Sequence, residues 1–181
     1  MSEDKVYHHP IEMLRDPKRL AFLETDKVVQ YCLEGITPLT MLDVGTGSGI
    51  FAEAFFRRGL EVTGVDIQEP MLEVARTYVP EASFQLASSE KLPFEEKAFD
   101  LVFLGLLLHE SEQPQKTLEE SARVCILRTA VLEWPYEEGR YGPPIQHRLE
   151  PEEIKEMATS SGFSRFKVIP MRFLSLYLLD N

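Results

Sequence analysis

Strands that alternate with helices along most of the chain predict an α/β fold, a three-layer αβα sandwich built on a parallel sheet. Three observations carry that reading. Residues 40–66 read as strand, glycine turn, helix and strand, a βαβ unit whose crossover should be right-handed. Phe99–Gly105 is a near-continuous apolar run, as suits a strand buried on both faces of a parallel sheet. Beyond it, helical and strand patterns keep alternating as far as Leu178. A chain of 181 residues is expected to form one domain, 1–181, with a sizeable core.

In order, residues 1–16 are polar and include His8, His9 and Pro10. Asp16-Pro17 opens a first helix, with proline at a tolerated first-turn position and Leu20, Phe22 and Leu23 on its apolar side. Thr25-Asp26 is expected to cap a second helix, Lys27 to Glu34, that ends at Gly35. These helices make residues 1–36 a helical cap that either closes over a ligand or packs on the sheet edge. Met41, Leu42 and Val44 form the first strand, and Gly45, Gly47 and Gly49 the turn. Ile50 to Phe56 is a short helix stopped by Gly59, and Glu61 to Val65 a strand ending on Asp66. Pro70 to Tyr78 is a helix with Met71, Leu72, Val74 and Ala75 on one side, terminated by Pro80. Ala82 to Ala87 is the third strand, Ser88 to Phe94 a loop, and Phe99–Gly105 the fourth strand. Thr117 to Val124 is a helix, and Ile126 to Leu132 a fifth strand leading into Glu133-Trp134-Pro135-Tyr136. Gly139 to Leu149 is a loop by its turn chemistry. Glu150-Pro151-Glu152-Glu153 opens an acid-rich helix start that suits the helix dipole, and Gly162 closes that helix. Phe163 to Ile169 and Met171 to Leu178 alternate enough to read as a terminal antiparallel pair around Pro170.

Composition narrows the partners. The net charge of -11 and a pI near 4.9, with no Lys/Arg run, argue against a phosphate-gripping nucleic-acid surface, so no DNA partner is expected. Cys32 and Cys125 show no disulfide or metal spacing and sit among apolar residues, as buried reduced thiols do. No metal site is expected. There is no apolar run near the length of a membrane span, and Met1 to Pro10 does not read as a signal peptide. No membrane partner is therefore expected, and a cytoplasmic protein is.

The glycine turn indicates the ligand. Glycines allow a ligand to lie against the backbone. An acid at the tip of the second strand is placed to accept hydrogen bonds from ribose hydroxyls. Together they predict a nucleoside-containing cofactor. The dinucleotide fingerprint would put Gly or Ala where Ile50 stands, and a nucleotide-hydrolase phosphate loop would put Lys after Gly49. What remains is Asp-x-Gly-x-Gly-x-Gly, Asp43 to Gly49. This resembles motif I of the class I S-adenosylmethionine-dependent methyltransferases, and the resemblance extends from about Asp43 to the C-terminus. Glu90, Leu92, Pro93 and Phe94 match the family's loop after strand three, while Ser88 stands where the family often has an Asp. Cys125-Ile126-Leu127-Arg128 replaces the family's Pro-Gly-Gly turn.

The resemblance implies a Rossmann-like seven-stranded sheet in the order 3-2-1-4-5-7-6, with strand 7 antiparallel. Its ligands bind outside the carboxyl ends of the strands, where Gly45, Asp66, Ser88 and Gly105 converge. It also implies S-adenosylmethionine as cofactor. The Gly45 and Leu104 carbonyls would accept from its amino group, and Asp43 would add charge there. The backbone around Thr46, Gly47 and Gly49 would face its carboxylate. Asp66 would hold the ribose, Ile67 and Met71 would flank the nucleoside, and Ser88 and Ser89, beside Gly105, would read the adenine.

In-line methyl transfer needs alignment and exclusion of water. It needs a base only for a protonated acceptor. His109, just past the fourth strand, is the candidate base, oriented by Glu110. Trp134 and Tyr136 are candidate walls of an acceptor pocket, and His147 is a candidate to approach it from its loop. Leu106–Leu108 in place of the DNA-base methyltransferase motif favours a small or medium-sized acceptor, with protein or RNA left open. A cofactor-binding sensor or partner subunit without turnover is the alternative. Leu106, Leu107 or Trp134 filling the acceptor space would favour it.

Overall fold

The computed structural model describes residues 15–181, so His8, His9 and the rest of segment 1–14 lie outside the described residues. The chain runs α1 (Pro17–Leu23), α2 (Thr25–Leu33), β1 (Thr40–Val44), α3 (Ile50–Phe56), β2 (Glu61–Asp66), α4 (Glu69–Tyr78) and β3 (Ser83–Leu86). It continues through β4 (Phe99–Gly105), α5 (Pro114–Val124), β5 (Cys125–Glu133), α6 (Pro151–Ser160), β6 (Arg165–Pro170) and β7 (Ser175–Asp180). The strands form one seven-stranded sheet in the order β3-β2-β1-β4-β5-β7-β6. β7 runs antiparallel to both of its neighbours, and the remaining pairs are parallel.

The strand alternation builds two cores. Met41, Leu101, Phe103, Ala130, Leu132, Leu176 and Leu178 face α1, α2 and α3, where Val28, Val29, Cys32, Phe51 and Phe55 meet them. Their neighbours Leu42, Val102, Leu104, Val131, Tyr177 and Leu179 face α5 and α6, where Leu118, Val124, Ile154 and Ala158 pack. Successive side chains of a strand point to opposite faces, so a strand buried on both sides must be apolar throughout. That is why the run Phe99–Gly105 was legible.

Boundaries moved where side chains from afar set them. Asp16 caps α1 by accepting from Lys18 N–H at 2.8 Å. α2, however, starts at Thr25 itself, after Glu24 in a left-handed conformation (φ 48°), so Thr25-Asp26 is its first turn and not its cap. α5 begins at Pro114, three residues before Thr117, because the Glu90 carboxylate across the loop accepts from Gln113 N–H at 2.9 Å and from the Ser111 hydroxyl at 3.0 Å. Without the Pro-Gly-Gly turn, α5 passes straight into β5 at Cys125, and the β4–β5 register shifts between Phe99 and Leu101. β7 starts at Ser175 because Met171–Leu174 forms the hairpin turn, Met171 N–H donating to Leu174 O at 2.9 Å. Both cysteines are buried free thiols.

Candidate functional site

The glycine turn between β1 and α3 is held from beneath. Gly45, Gly47 and Gly49 all have positive φ (69°, 53° and 76°), the left-handed region that strains other residues. Thr46 N–H donates to Val65 O at 2.9 Å, which ties the turn to β2. Asp43 is buried, and its Oδ2 accepts from Thr46 Oγ1 at 2.7 Å and Ala52 N–H at 3.1 Å. Burial pushes its carboxyl up to about 7, against the pull of those two donors. Asp43 thus braces the turn and the start of α3. A Cβ on Gly49 would lie 3.0 Å from Ala75 Cβ, so that glycine lets α4 approach closely. A Cβ on Gly47 would meet nothing within 4 Å, so that part of the backbone is open to a ligand.

Asp66 closes the crevice from β2. Its Oδ2 accepts from Gly47 N–H and its Oδ1 from Gln68 N–H, each at 2.9 Å, which fixes the carboxylate beside the turn. Burial raises its pKa, opposed by the N–H bonds from Gln68, Gly47 and Ile67. The carboxylate still has capacity for a further donor. Ile67, next in the chain, is 47% exposed, as is Leu86 at 58%, the register partner of Asp66 on β3. Met71 is only 3% exposed and belongs to the interior under α4. Ser88 Oγ accepts from Glu90 N–H at 3.2 Å, and Ser89 Oγ lies 3.1 Å from Thr117 Oγ1, so both hydroxyls serve the loop.

β4 supplies the opposite wall. Leu104 and Gly105 end it, and Leu106 then takes φ 56° with its N–H on Leu132 O at 2.8 Å. A left-handed leucine at a strand end is strained, and no sequence signal marked it. The Leu107 side chain lies against Gly45, where an added Cβ would be 2.8 Å from Leu107 Cδ1. The N-terminal segment from Arg15 to α2 does two things. Phe22 stacks on Phe173 with ring centroids 4.7 Å apart. Arg15 reaches the turn, donating to Ser48 O at 2.9 and 3.1 Å and pairing with Glu53 at 2.7 Å.

The register that places Gly105 beside Leu132 also brings His109 to Glu133. His109 Nδ1 lies 2.8 Å from Glu133 Oε2, and His109 N–H donates to Glu133 Oε1 at 3.1 Å. The two side chains are 8% and 2% exposed. The expected partner, Glu110, is farther off, with Oε1 3.8 Å from Nε2. Glu133 was not foreseen, since a carboxylate at the end of an apolar strand carries no local motif. Burial works against the charged imidazole, but the Glu133 hydrogen bond and charge, with Glu110, outweigh it and leave the His109 pKa raised. His109 borders a cavity of about 440 Å³ that also takes in Tyr136, Ile145, His147 and Glu153. Trp134 is turned away, packed on Phe22 and against Gly142. The loop from Pro135 to Pro143 is gathered by Arg148, whose guanidinium donates to the carbonyls of Pro135, Glu137, Tyr141 and Pro143.

The open backbone at Gly47, a fixed carboxylate with capacity for a further donor at Asp66 and an exposed apolar side chain at Ile67 fit a ribonucleoside. Among the described residues, no three His, Cys, Asp or Glu side chains converge as metal ligands. No helix among them is long and apolar enough to cross a membrane.

Comparison with known proteins points the same way. A model of a methyltransferase domain matches residues 42–128. The ubiquinone biosynthesis O-methyltransferase of Alkalilimnicola ehrlichii is 36% identical over 107 residues, 56% of this chain and 43% of that protein. The demethylmenaquinone methyltransferase of Thermotoga maritima is 31% identical over 100 residues, 54% of this chain and 43% of that one. This chain therefore matches less than half the length of either relative. The crystal structure of a SAM dependent methyltransferase from Aquifex aeolicus superposes with a TM-score of 0.81 at 27% identity, covering 94% of this chain and 96% of that one.

Proposed function

This chain belongs to the class I S-adenosylmethionine-dependent methyltransferase family, and from that premise we propose that it transfers the cofactor's methyl group to a small acceptor. One observation supports the reading: the glycine turn, Asp66 and the end of β4 gather at the carboxyl ends of neighbouring strands, and the loop that leaves β4 carries His109, paired with Glu133, on the border of a cavity of about 440 Å³.

In this reading Asp66 binds the ribose diol. The Gly47 backbone and the start of α3 receive the carboxylate, and the Gly45 and Leu104 carbonyls receive the amino group. Ile67 covers the adenine, while Met71 and Asp43 support the site from within. Ser88, Ser89 and Gly105 contribute backbone and no side-chain hydroxyl. Arg15 ties the N-terminal cap, of which α1 and α2 are the described part, to the turn. When bound, S-adenosylmethionine supplies a methyl group on a positively charged sulfur, a leaving group already in place. The protein's task is then alignment and exclusion of water. Glu133 holds Nδ1 of His109, which leaves Nε2 as the atom that takes a proton from the acceptor.

The cavity beside His109 favours turnover over a binding-only sensor, since Leu106 and Trp134 leave it open and Leu107 is occupied against Gly45. Residues 1–181 act as one domain, working in the cytoplasm, with no DNA or membrane as partner. Calorimetry with S-adenosylhomocysteine tests the assignment. Saturable binding is expected, without competition from a nicotinamide dinucleotide. Absence of heat with the first and clear uptake of the second would overturn it.

A further inference from the structure

The cavity beside His109 has an acidic wall. Four carboxylates border it: Glu110 after β4, Glu112 further along that loop, and Glu150 and Glu153 at the start of α6. The one arginine on its lining, Arg148, spends its donors on four loop carbonyls. Glu150 and Glu153 form the capping box of α6, so backbone N–H groups hold their carboxylates in place. The Tyr136 hydroxyl also meets Glu150. Independently of this acidic wall, His109 is almost fully buried, and its Nε2 makes no hydrogen bond among the described residues, the nearest carboxylate oxygen being Glu110 Oε1 at 3.8 Å. A ring nitrogen with its partner nitrogen already taken by Glu133 therefore borders a cavity of ligand size whose charge is negative.

We propose that the acceptor is a small amine that enters this cavity as an ammonium ion, pairs with Glu110 and Glu153, and gives a proton to Nε2 of His109. The inference rests on the methyltransferase reading and names its substrate class. An anionic acceptor would face the carboxylates of Glu150 and Glu153 and, as pH rises above about 7, that of Glu110, which costs affinity. A long apolar tail would find Pro114, Pro143, Ile145, Leu149 and the Tyr136 ring for contact, in a wall that also carries Glu110, Glu150 and Glu153. Burial, together with the charges of Glu133 and Asp66, pushes the Glu110 carboxyl up to about 7, while His109 and Arg19 pull it down. A cation at this place relieves that crowding of negative charge.

The step balances. An N–H bond of the ammonium breaks, and its proton goes to Nε2, leaving its electron pair on nitrogen. That pair forms the new N–C bond as the carbon–sulfur bond of S-adenosylmethionine breaks, and the electrons of that bond remain on sulfur as a neutral thioether. The product leaves as an N-methylammonium ion, and the imidazolium returns its proton to water.

The test uses the protein saturated with S-adenosylhomocysteine and two matched ligand sets in calorimetry. One set is phenethylamine, 2-phenylethanol and phenylacetate; the other is butylamine, butanol and butyrate. The amine of at least one set is expected to bind about tenfold tighter than its alcohol and its carboxylate, a margin of about 1.4 kcal/mol. Glu110→Gln should weaken that amine about three- to fivefold, as the loss of one partly exposed ion pair does. Amine binding should also strengthen from pH 6 to pH 8 as Glu110 ionises, with His109, Glu133, Asp66 and Arg19 as the charged groups around it. Amines that bind no tighter than the matched alcohols and carboxylates, or that do not bind at all, overturn the substrate class and leave the cofactor assignment standing. Failure of S-adenosylhomocysteine itself to bind overturns the methyltransferase reading instead.

Discussion

Replacing Asp66 with asparagine separates what its carboxylate does for the fold from what it does for the ligand. In the folded chain it accepts one N–H from Gly47 and one from Gln68, and burial raises its pKa. A carboxyl whose folded pKa lies above its unfolded value binds more protons folded than unfolded between the two. It therefore costs stability at neutral pH, and the cost fades as pH falls from the folded pKa to the unfolded one. Asparagine removes that charge and keeps an acceptor for Gln68 but loses the one for Gly47, at a cost of about 1 kcal/mol. The two changes oppose each other, so the ligand-free melting temperature should stay within about 5 °C of the parent. Binding has no such compensation. A ribose diol offers two hydroxyls to the carboxylate, and hydrogen bonds to a charged group contribute about 1.5–3 kcal/mol each. Losing about 3–5 kcal/mol weakens S-adenosylhomocysteine by about two to four orders of magnitude. Calorimetric titration and thermal denaturation of the same preparations read both quantities. A folded Asp66→Asn protein that binds within threefold of the parent would refute the ribose assignment.

Four further outcomes follow from the geometry. His109→Ala should leave S-adenosylhomocysteine affinity within about twofold and lower kcat about 10²- to 10⁴-fold, the usual contribution of a positioned base, as read by methyl transfer in the steady state. Glu133→Gln removes the interaction that raises the His109 pKa, so the acidic limb of the kcat profile should move to lower pH, where an unchanged limb would exclude coupling. Asp43→Asn should be more stable relative to the parent at pH 8 than at pH 4, because burial pushes the Asp43 carboxyl up to about 7 and its ionisation above that value costs stability. Equal urea midpoint differences at the two pH values would show that Asp43 carries no such penalty. Arg148→Met frees the carbonyls of Pro135, Glu137, Tyr141 and Pro143, so trypsin should cut after Arg140 at least about tenfold faster, given that bonds to a charged donor contribute more than 1 kcal/mol each.

The elements were legible where a local pattern was enough. The glycines of the turn, the buried run of β4 and the proline- and acid-led start of α6 each declare their backbone state within a few residues. The errors lie where a distant side chain decides. Nothing near Thr117 says that Glu90, more than twenty residues earlier, will hold the chain in place for a helix starting at Pro114. Thr25 resembles a cap by residue type, yet Glu24 takes the strained conformation and Thr25 becomes helical.

The same division runs through the candidate site. Its nucleoside half is local in sequence: Asp43 to Gly49 and Asp66 lie in one βαβ unit, so a short motif encodes the turn and the carboxylate that braces it. Its acceptor half depends on the register of β4 against β5. Gly105 pairs with Leu132, and only that pairing sets His109, four residues beyond one strand end, against Glu133 at the end of the next. A one-residue slip would turn the Glu133 side chain to the opposite face of the sheet and leave His109 without its partner. The β4–β5 register is in turn displaced between Phe99 and Leu101, at the junction where α5 enters β5 without a glycine turn. The departure at Cys125–Arg128 therefore lies at one end of the same strand whose other end holds Glu133. Restoring a Pro-Gly-Gly turn there should shift β5 and lower the His109 pKa toward its ordinary value, which the ring-proton NMR titration of His109 would read directly. An unchanged titration would mean that the strand end is held by its antiparallel pairing with β7, through Glu133 and Ser175, and not by the helix that feeds it.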